Sequence, residues 1–384
     1  MAAGNKLLAK EDRRGSGADI PFLILTLGLL ALGLAVLYSA SSAQSAYAIT
    51  TRYLQKQAVC ALLGLIALYL FSRVPAALWY RLAWPVYGVS ILLLLSVLIV
   101  GQQVNGARRW ISIAGLQFQP SEIAKFGAIL VFARLTADFG EKSEDFLHGV
   151  LGFGGALLGI LVPLALEKHL SAIMLLGMVA VVMMYFAGTR LRWLLLGAAG
   201  AAVFLLVYVS LMGYAGDRIS AWRHPELDPG DTGYQILQSL YAIGSGGVLG
   251  FGKSRQKYLY LPFQYNDYIF AIFCEELGLL GALALMALFA ALITRGYRIA
   301  RLASDRFSSA LAAGLTSLIA VQTILNLCVV TNLLPSTGIA LPFFSYGGTA
   351  LAVNLGEMGI VLSISRQKDS GLVSRRLSSG GKQN

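Results

Sequence analysis

Charge is what this chain has least of. Only 13% of its 384 residues are Asp, Glu, Lys or Arg, against 57% hydrophobic, and mean hydropathy is +0.69; soluble domains carry about 25% charged residues. That balance excludes a soluble globular domain and implies a polytopic membrane protein, for which length does not count domains. Cysteine and histidine are equally scarce, at three each. Cys60, Cys274 and Cys328 lie far apart inside apolar runs, so they read as small core hydrophobes and not as a disulfide framework. His148, His169 and His224 share no metal-ligand spacing, which argues against zinc. The N-terminal segment also lacks the basic, short apolar and small-residue succession of a cleaved signal, and its first apolar run is long enough to stay in a bilayer.

What the chain does have is apolar runs of roughly 18 to 25 residues, centred near Leu30, Leu62, Leu93, Ile129, Leu157, Gly177, Phe204, Leu280, Leu318 and Leu351. They predict an all-α polytopic membrane protein with about ten transmembrane helices and a large extracytoplasmic loop, 215–266, between spans 7 and 8. A single membrane domain is expected over 20–366, with a cytoplasmic tail at 1–19 and a basic, disordered cytoplasmic tail at 367–384. Alternating the loops from an inside N-terminus places about twice as many Lys and Arg inside as outside, so both termini are expected in the cytoplasm. The net charge of +11 is scattered in short groups between spans. Orientation and contact with anionic membrane lipids account for it, and a nucleic-acid partner does not.

Against this background a few polar stretches carry the chemistry. In Asn105 to Phe126, NGARRWISIAGLQFQPSEIAKF, the group Arg108, Arg109 and Trp110 meets the outer surface, where it serves either as an interfacial anchor or as a binding surface. QPSE predicts a helix cap and puts Glu122 and Lys125 on one helical face. An ionisable pair inside a span faces protein or a wet cavity. The turn Glu167-Lys168-His169 reads as solvated.

The long loop contains Gly247 to Ser254, GVLGFGKS, which satisfies the phosphate-cradling pattern GxxxxGK[ST]. Its flanks, YAIGSG and RQKYLYLP, supply neither the strand nor the helix that a nucleotide site needs. The glycines instead permit irregular backbone beside a ligand or a helix. Lys253, Arg255 and Lys257, interleaved with Tyr258 and Tyr260, form a rim suited to an anionic headgroup, or simply to solvent and lipid.

Asp267 is the sharpest single residue. It stands at the outer mouth of a span in PFQYNDYIFAIFCEELG, where partial burial raises a carboxyl pKa and makes a better base. A carboxylate favoured by the helix dipole is the other reading. Glu275 and Glu276 lie too far round the helix to form a dyad with it, and are expected to serve buried cations or backbone, with Lys125 a candidate partner. In Thr331 to Gly359, Pro335 and Pro342 with Gly338, Gly347 and Gly348 forbid a regular helix throughout. Broken backbone at membrane depth is tolerated where it is buried in protein or lines a cavity, so this segment should wall a site.

Taken together, NGARRWI, QPSEIAK, DRISAW, GYQILQSLYAIGSGGVLG, DYIFAIFCEELG and PSTGIALPFFSYGG resemble the SEDS family of FtsW, RodA and SpoVE, over essentially the whole chain and on the FtsW and SpoVE side of it. The resemblance implies a peptidoglycan glycosyltransferase of the bacterial inner membrane that polymerises lipid II beside a class B penicillin-binding transpeptidase. It also implies that Asp267 is the family's essential loop aspartate, and that Arg109, Trp110 and Glu275 fall on functional positions. The sequence departs from the family at Leu261-Pro262-Phe263, which lacks a glutamate before the aspartate, and at Glu167-Lys168-His169, where relatives carry a QPD-like turn.

On that reading Asp267 is the base. Arg109, Trp110, Arg218, Arg223, Lys253, Arg255 and Lys257 bind substrate, while Glu122, Lys125, Glu275, Pro335, Gly338, Pro342, Ser345, Gly347 and Gly348 support the site. No metal ligand set is evident, though a divalent cation could assist the pyrophosphate. A lipid II flippase and a non-catalytic scaffold for the transpeptidase are the rival readings.

Overall fold

The structure, a computed structural model, describes residues 17–42, 47–104, 107–113, 116–211, 214–227, 232–251 and 266–366. Helices dominate for a physical reason. With so little charge the main polar load of each segment is its own backbone, and within a bilayer a helix satisfies that load internally. In chain order the first helices are α1 (Ile20–Ser42), α2 (Tyr47–Phe71) and α3 (Ala76–Val100). A small antiparallel sheet follows, ordered β1-β2-β3, with β1 (Gln102–Val104), β2 (Ala107–Ile113) and β3 (Leu116–Phe118). Then come α4 (Pro120–Phe139), a 3-10 turn (Gly140–Glu144) and a π-helical turn (Leu147–Gly152) leading into α5 (Phe153–Leu166). The remainder is α6 (Leu170–Phe186), α7 (Leu191–Leu211), α8 (Tyr214–Arg223), α9 (Thr232–Ser245), α10 (Ile269–Leu302), α11 (Arg306–Val330) and α12 (Gly348–Ser365).

Among the described residues, seven helical segments are long and apolar enough to cross a membrane, and two shorter ones, Leu170–Phe186 and Leu191–Phe204, are apolar as well. α4 has the length, but carries Glu122, Lys125, Arg134 and Asp138. The protein is therefore a multi-pass helical membrane protein, with one small sheet among the described residues.

Burial sorts the helices. In α2 and α3 only 28% of the apolar window is buried, whereas α11 buries 78% and α12 67%. α11 is thus the inner post, packed against α4, α6 and α10, and the outer helices turn their Leu, Ile and Val side chains outward. Between helices surrounded by lipid, attraction comes from close van der Waals fit, which small residues permit. α2 and α12 meet this way: a Cβ added at Gly359 would lie 2.8 Å from the Leu68 Cα.

α11 starts where its sequence says a helix should. Asp305 is the N-cap, accepting from the Ser308 backbone N–H at 2.9 Å. α4 starts differently from the cap expected of QPSE. Gln119 makes no side-chain cap bond, and Pro120 occupies the first turn, where its missing N–H costs nothing. The Gln119 N–H is met instead by the Thr349 hydroxyl of α12 at 3.3 Å.

One end of the bundle gathers the sheet, the 331–347 segment and the start of α10. The opposite end is rich in arginine and closed by side-chain ties. Arg295 reaches Asp19 at 2.9 Å, the Asp19 N–H donates to Ser365 at 3.0 Å, and Arg190 pairs with Glu144 at 3.0 Å.

Candidate functional site

Asp267 lies in the turn that opens α10, half-buried at the end of the bundle that carries the sheet. Its position is fixed from below by Asn326. This fully buried side chain of α11 donates one amide hydrogen to the Asp267 carbonyl at 2.8 Å and the other to the Ile339 carbonyl at 2.7 Å. One residue thereby ties the mouth of α10 to the broken segment before α12. Across from the carboxylate stands Gly338, left-handed at φ 71°. A Cβ there would come within 3.3 Å of Asp267 Oδ2, so glycine serves both the backbone and the close approach.

The 331–347 segment has no helix, as its prolines and glycines require. Its backbone is held by side chains from several elements. Arg218 of α8 donates to the Ser336 carbonyl at 2.7 Å, Trp222 to Asn332 at 3.0 Å, and Ser171 of α6 to Thr337. Further on, Ser345 accepts from the Leu341 N–H at 2.8 Å. Gln57, buried in α2, donates to the Ser345 carbonyl at 3.2 Å and accepts from the Gly347 N–H at 3.3 Å. Gly348 then opens α12 against Cys60, leaving no room for a Cβ. A segment pinned this way is a rigid wall.

The electrostatics suit a base. Burial pushes the Asp267 carboxyl up to about 6, with the Arg218 guanidinium pulling the other way. A carboxylate so poised is ionised at neutral pH, yet accepts a proton more readily than an exposed one. Burial, and then Asp267 itself, raises the neighbouring Tyr268 phenol, so that ring remains neutral.

The other predicted residues fall into separate groups. Glu122 and Lys125 form a buried ion pair of 2.8 Å on α4, as their spacing predicts. Lys125 is therefore taken by Glu122 and is not the ion-pair partner of Glu275 or Glu276. Glu276 instead accepts from Ser39 of α1, and Glu275 is buried with its carbonyl accepting from the Phe251 N–H at 3.1 Å. Trp110 is half-buried on β2, and Arg109 beside it donates to the Lys168 carbonyl. Arg223 is exposed in the last turn of α8 and is not brought to Asp267. Lys253, Arg255 and Lys257 lie outside the described residues.

Two expectations need correction. The turn Glu167-Lys168-His169 is not solvated: Glu167 is 1% and His169 8% exposed, because Arg109 closes over it from the sheet. Second, the described part of the phosphate-loop-like stretch lies against a helix. α10 breaks at Gly278 (φ 64°, ψ −166°), and there Leu279 and Leu280 donate their N–H groups to Gly247 and Val248 at 2.9 and 3.1 Å. The glycines serve this backbone-on-backbone contact.

Sequence reasoning missed Asn326, Gln57 and Glu357. Glu357 of α12 is 2% exposed, neither of its oxygens has a hydrogen-bond partner, and it lies within electrostatic reach of Lys125 and Glu122. A carboxyl inside a span was the available signal. Among the described residues no group of three or more His, Cys, Asp or Glu could hold a metal ion.

Residues 20–370 match a family described as cell cycle protein, comprising FtsW, RodA and SpoVE. The chain is 38% identical over 354 residues to a probable peptidoglycan glycosyltransferase FtsW of Geobacter sulfurreducens, covering 90% of this chain and 95% of that one. To the stage V sporulation protein E of Bacillus subtilis it is 36% identical, covering 91% and 97%. A solved peptidoglycan synthase complex, described for its structural coordination of polymerization and crosslinking, contains a chain of the same fold. Its TM-score is 0.78 at 30% identity, covering 92% of this chain and 99% of that one.

Proposed function

This chain belongs to the FtsW, RodA and SpoVE family of cell cycle proteins, and we propose that it is a peptidoglycan glycosyltransferase that polymerises lipid II, with Asp267 as general base. The observation that carries the reading is the seat of Asp267: a carboxyl raised to about 6, anchored by Asn326, facing a rigid broken segment and flanked by Arg218. In the reaction the 4-hydroxyl of an acceptor GlcNAc loses its proton to Asp267 and attacks the anomeric carbon of a polyprenyl-pyrophosphate-linked sugar. The C–O bond to pyrophosphate breaks with inversion. Arg218 and the basic rim Lys253, Arg255 and Lys257 are candidates for stabilising the charge of the leaving group.

Ten spans with both termini in the cytoplasm would put Asp267 on the outer face of the bacterial inner membrane, where lipid II is polymerised. That count takes α4, α6 and α7 as spans alongside the seven long apolar segments. A class B penicillin-binding transpeptidase is the proposed partner, in keeping with the synthase complex whose chain shares this fold. The buried Glu122, Lys125 and Glu357 also fit a rival, lipid transport through the bundle.

The test is lipid II polymerisation by purified protein. Asp267→Asn should lower turnover by about 10²- to 10⁴-fold with expression and thermal unfolding unchanged. Wild-type turnover should rise with pH through about 6, because the base works only when deprotonated. Glycan synthesis by Asp267→Asn near the parental rate would remove the assignment.

A further inference from the structure

The turn between α5 and α6 brings together polar groups that the chemistry above does not use. Glu167 is 1% exposed and neither of its carboxyl oxygens has a hydrogen-bond partner; His169 is 8% exposed and its Nδ1 has none. The Thr337 hydroxyl, on a residue 8% exposed, is likewise unpartnered. Buried polar atoms are ordinarily paired, so several such atoms in one neighbourhood point to a missing ligand or solvent.

The neighbourhood is built. Ser171 of α6 donates to the Thr337 carbonyl, which ties this turn to the 331–347 segment. Lys168 is held left-handed at φ 56°, unusual for a side-chain-bearing residue, with its carbonyl taken by Arg109. Thr337 is followed directly by Gly338, where an added Cβ would come within 3.3 Å of Asp267 Oδ2. The segment that carries the Thr337 hydroxyl therefore also carries the residue nearest the proposed base.

The charge state of this recess selects the ligand. Arg109 on β2 and Lys125 on α4 act on His169, Lys125 being paired with Glu122, and Glu357 of α12 lies within reach of that pair. Burial pushes Glu167 up to about 8, against the pull of Arg109. His169 is held well below its usual 6.5, by burial first and then by Arg109 and Lys125. At neutral pH the recess thus presents a carboxylic acid, a neutral imidazole and a hydroxyl beside one guanidinium. A metal cation would meet the Arg109 guanidinium and, in Glu167, a carboxyl that is protonated at neutral pH. An uncharged ligand rich in hydroxyl and amide groups meets matching donors and acceptors.

We propose that Glu167, His169 and Thr337 form a sugar-binding subsite that holds hydroxyl or acetamido groups of the lipid-linked saccharide beside Asp267. The proposal rests on the glycosyltransferase reading and names the group that reads the substrate's carbohydrate. Glu167 works here as a neutral acid that donates a hydrogen bond, and its contribution is lost as pH rises through about 8.

The test separates binding from turnover by measuring lipid II affinity in purified full-length Asp267→Asn protein, with undecaprenyl pyrophosphate as a ligand lacking the sugars. Adding Glu167→Leu or Thr337→Val should weaken lipid II binding by about tenfold or severalfold, and leave undecaprenyl pyrophosphate binding unchanged. In the Asp267 parent, Glu167→Gln should keep KM near the wild-type value at neutral pH and remove the rise in KM above about pH 8. Should Glu167→Leu fail to fold, Thr337→Val decides alone. Unchanged lipid II binding in the folded variants, equal loss for both ligands, or inactivity of a folded Glu167→Gln would each overturn the subsite. Because affinity is read without turnover, an active Asp267→Asn would defeat the base assignment and leave the subsite to stand or fall on its own binding data.

Discussion

The two ends of the bundle use charge in opposite ways. At the arginine end, cations meet carboxylates. Arg295 pairs with Asp19, and Arg190 with Glu144, the latter two side chains being 54% and 50% exposed. At the Asp267 end, cationic and polar side chains instead bind backbone carbonyls: Arg218 at Ser336, Arg109 at Lys168, Trp222 at Asn332, Asn326 at Asp267 and Ile339. Among the described residues, neither Asp267 nor Glu167 closes an ion pair. The first end pairs some of its cations with carboxylates. The second directs its donors into holding an irregular backbone still, and leaves its carboxyls available for chemistry. In the first turns of α4, next to the sheet, Glu122 and Lys125 form an ion pair that is buried on both sides.

That contrast can be broken by substitution. The largest effect on stability is expected from Lys125→Met, which leaves Glu122 and Glu357 as buried carboxyls with no compensating cation. Removing one partner of a buried pair costs about 3–5 kcal/mol. Thermal unfolding in detergent should show a large loss, and the double change Lys125→Met with Glu122→Leu should recover much of it. A smaller effect is expected from Asn326→Leu. It strips the Asp267 and Ile339 carbonyls of their donor, at about 1–3 kcal/mol for each unsatisfied group, and loosens the position of Asp267. Turnover should fall more than substrate affinity; equal loss of both would mean that Asn326 supports the fold alone.

Much of this was legible in the sequence because the signals were local. The apolar runs marked the helices, the three-residue spacing marked the Glu122–Lys125 pair, and Pro335 and Pro342 marked the broken wall. The sheet was legible too, since an Asn-Gly dipeptide followed by ARRWISI is a hairpin signal, though it was read only as an interface segment. What was not legible depends on tertiary contact. Asn326 and Gln57 look like incidental polar residues within apolar helices until the carbonyls of residues 339 and 345 are seen above them. Glu167 and His169 look like a solvated turn because the covering Arg109 is 58 residues before Glu167. Gly247 to Gly250 resemble a phosphate cradle by composition alone; their true counterpart is the break at Gly278, which a long apolar run conceals.

The smallest effect sharpens the contrast most. Arg190 and Glu144 are joined by two hydrogen bonds of 3.1 and 3.0 Å, both to one carboxylate oxygen. Both side chains are half exposed, however, so water screens the attraction and replaces it when it is lost. Arg190→Ala should therefore change stability by no more than about 1 kcal/mol and leave lipid II turnover intact, as read by unfolding and polymerisation on the same preparation. If so, ion-pair geometry is not what separates the two ends; burial is. A loss comparable to Lys125→Met would instead mean that the arginine end is a stressed part of the fold, and that the 570 Å³ cavity between Thr136, Glu144, Gly188 and Arg306 depends on that pair to keep its shape.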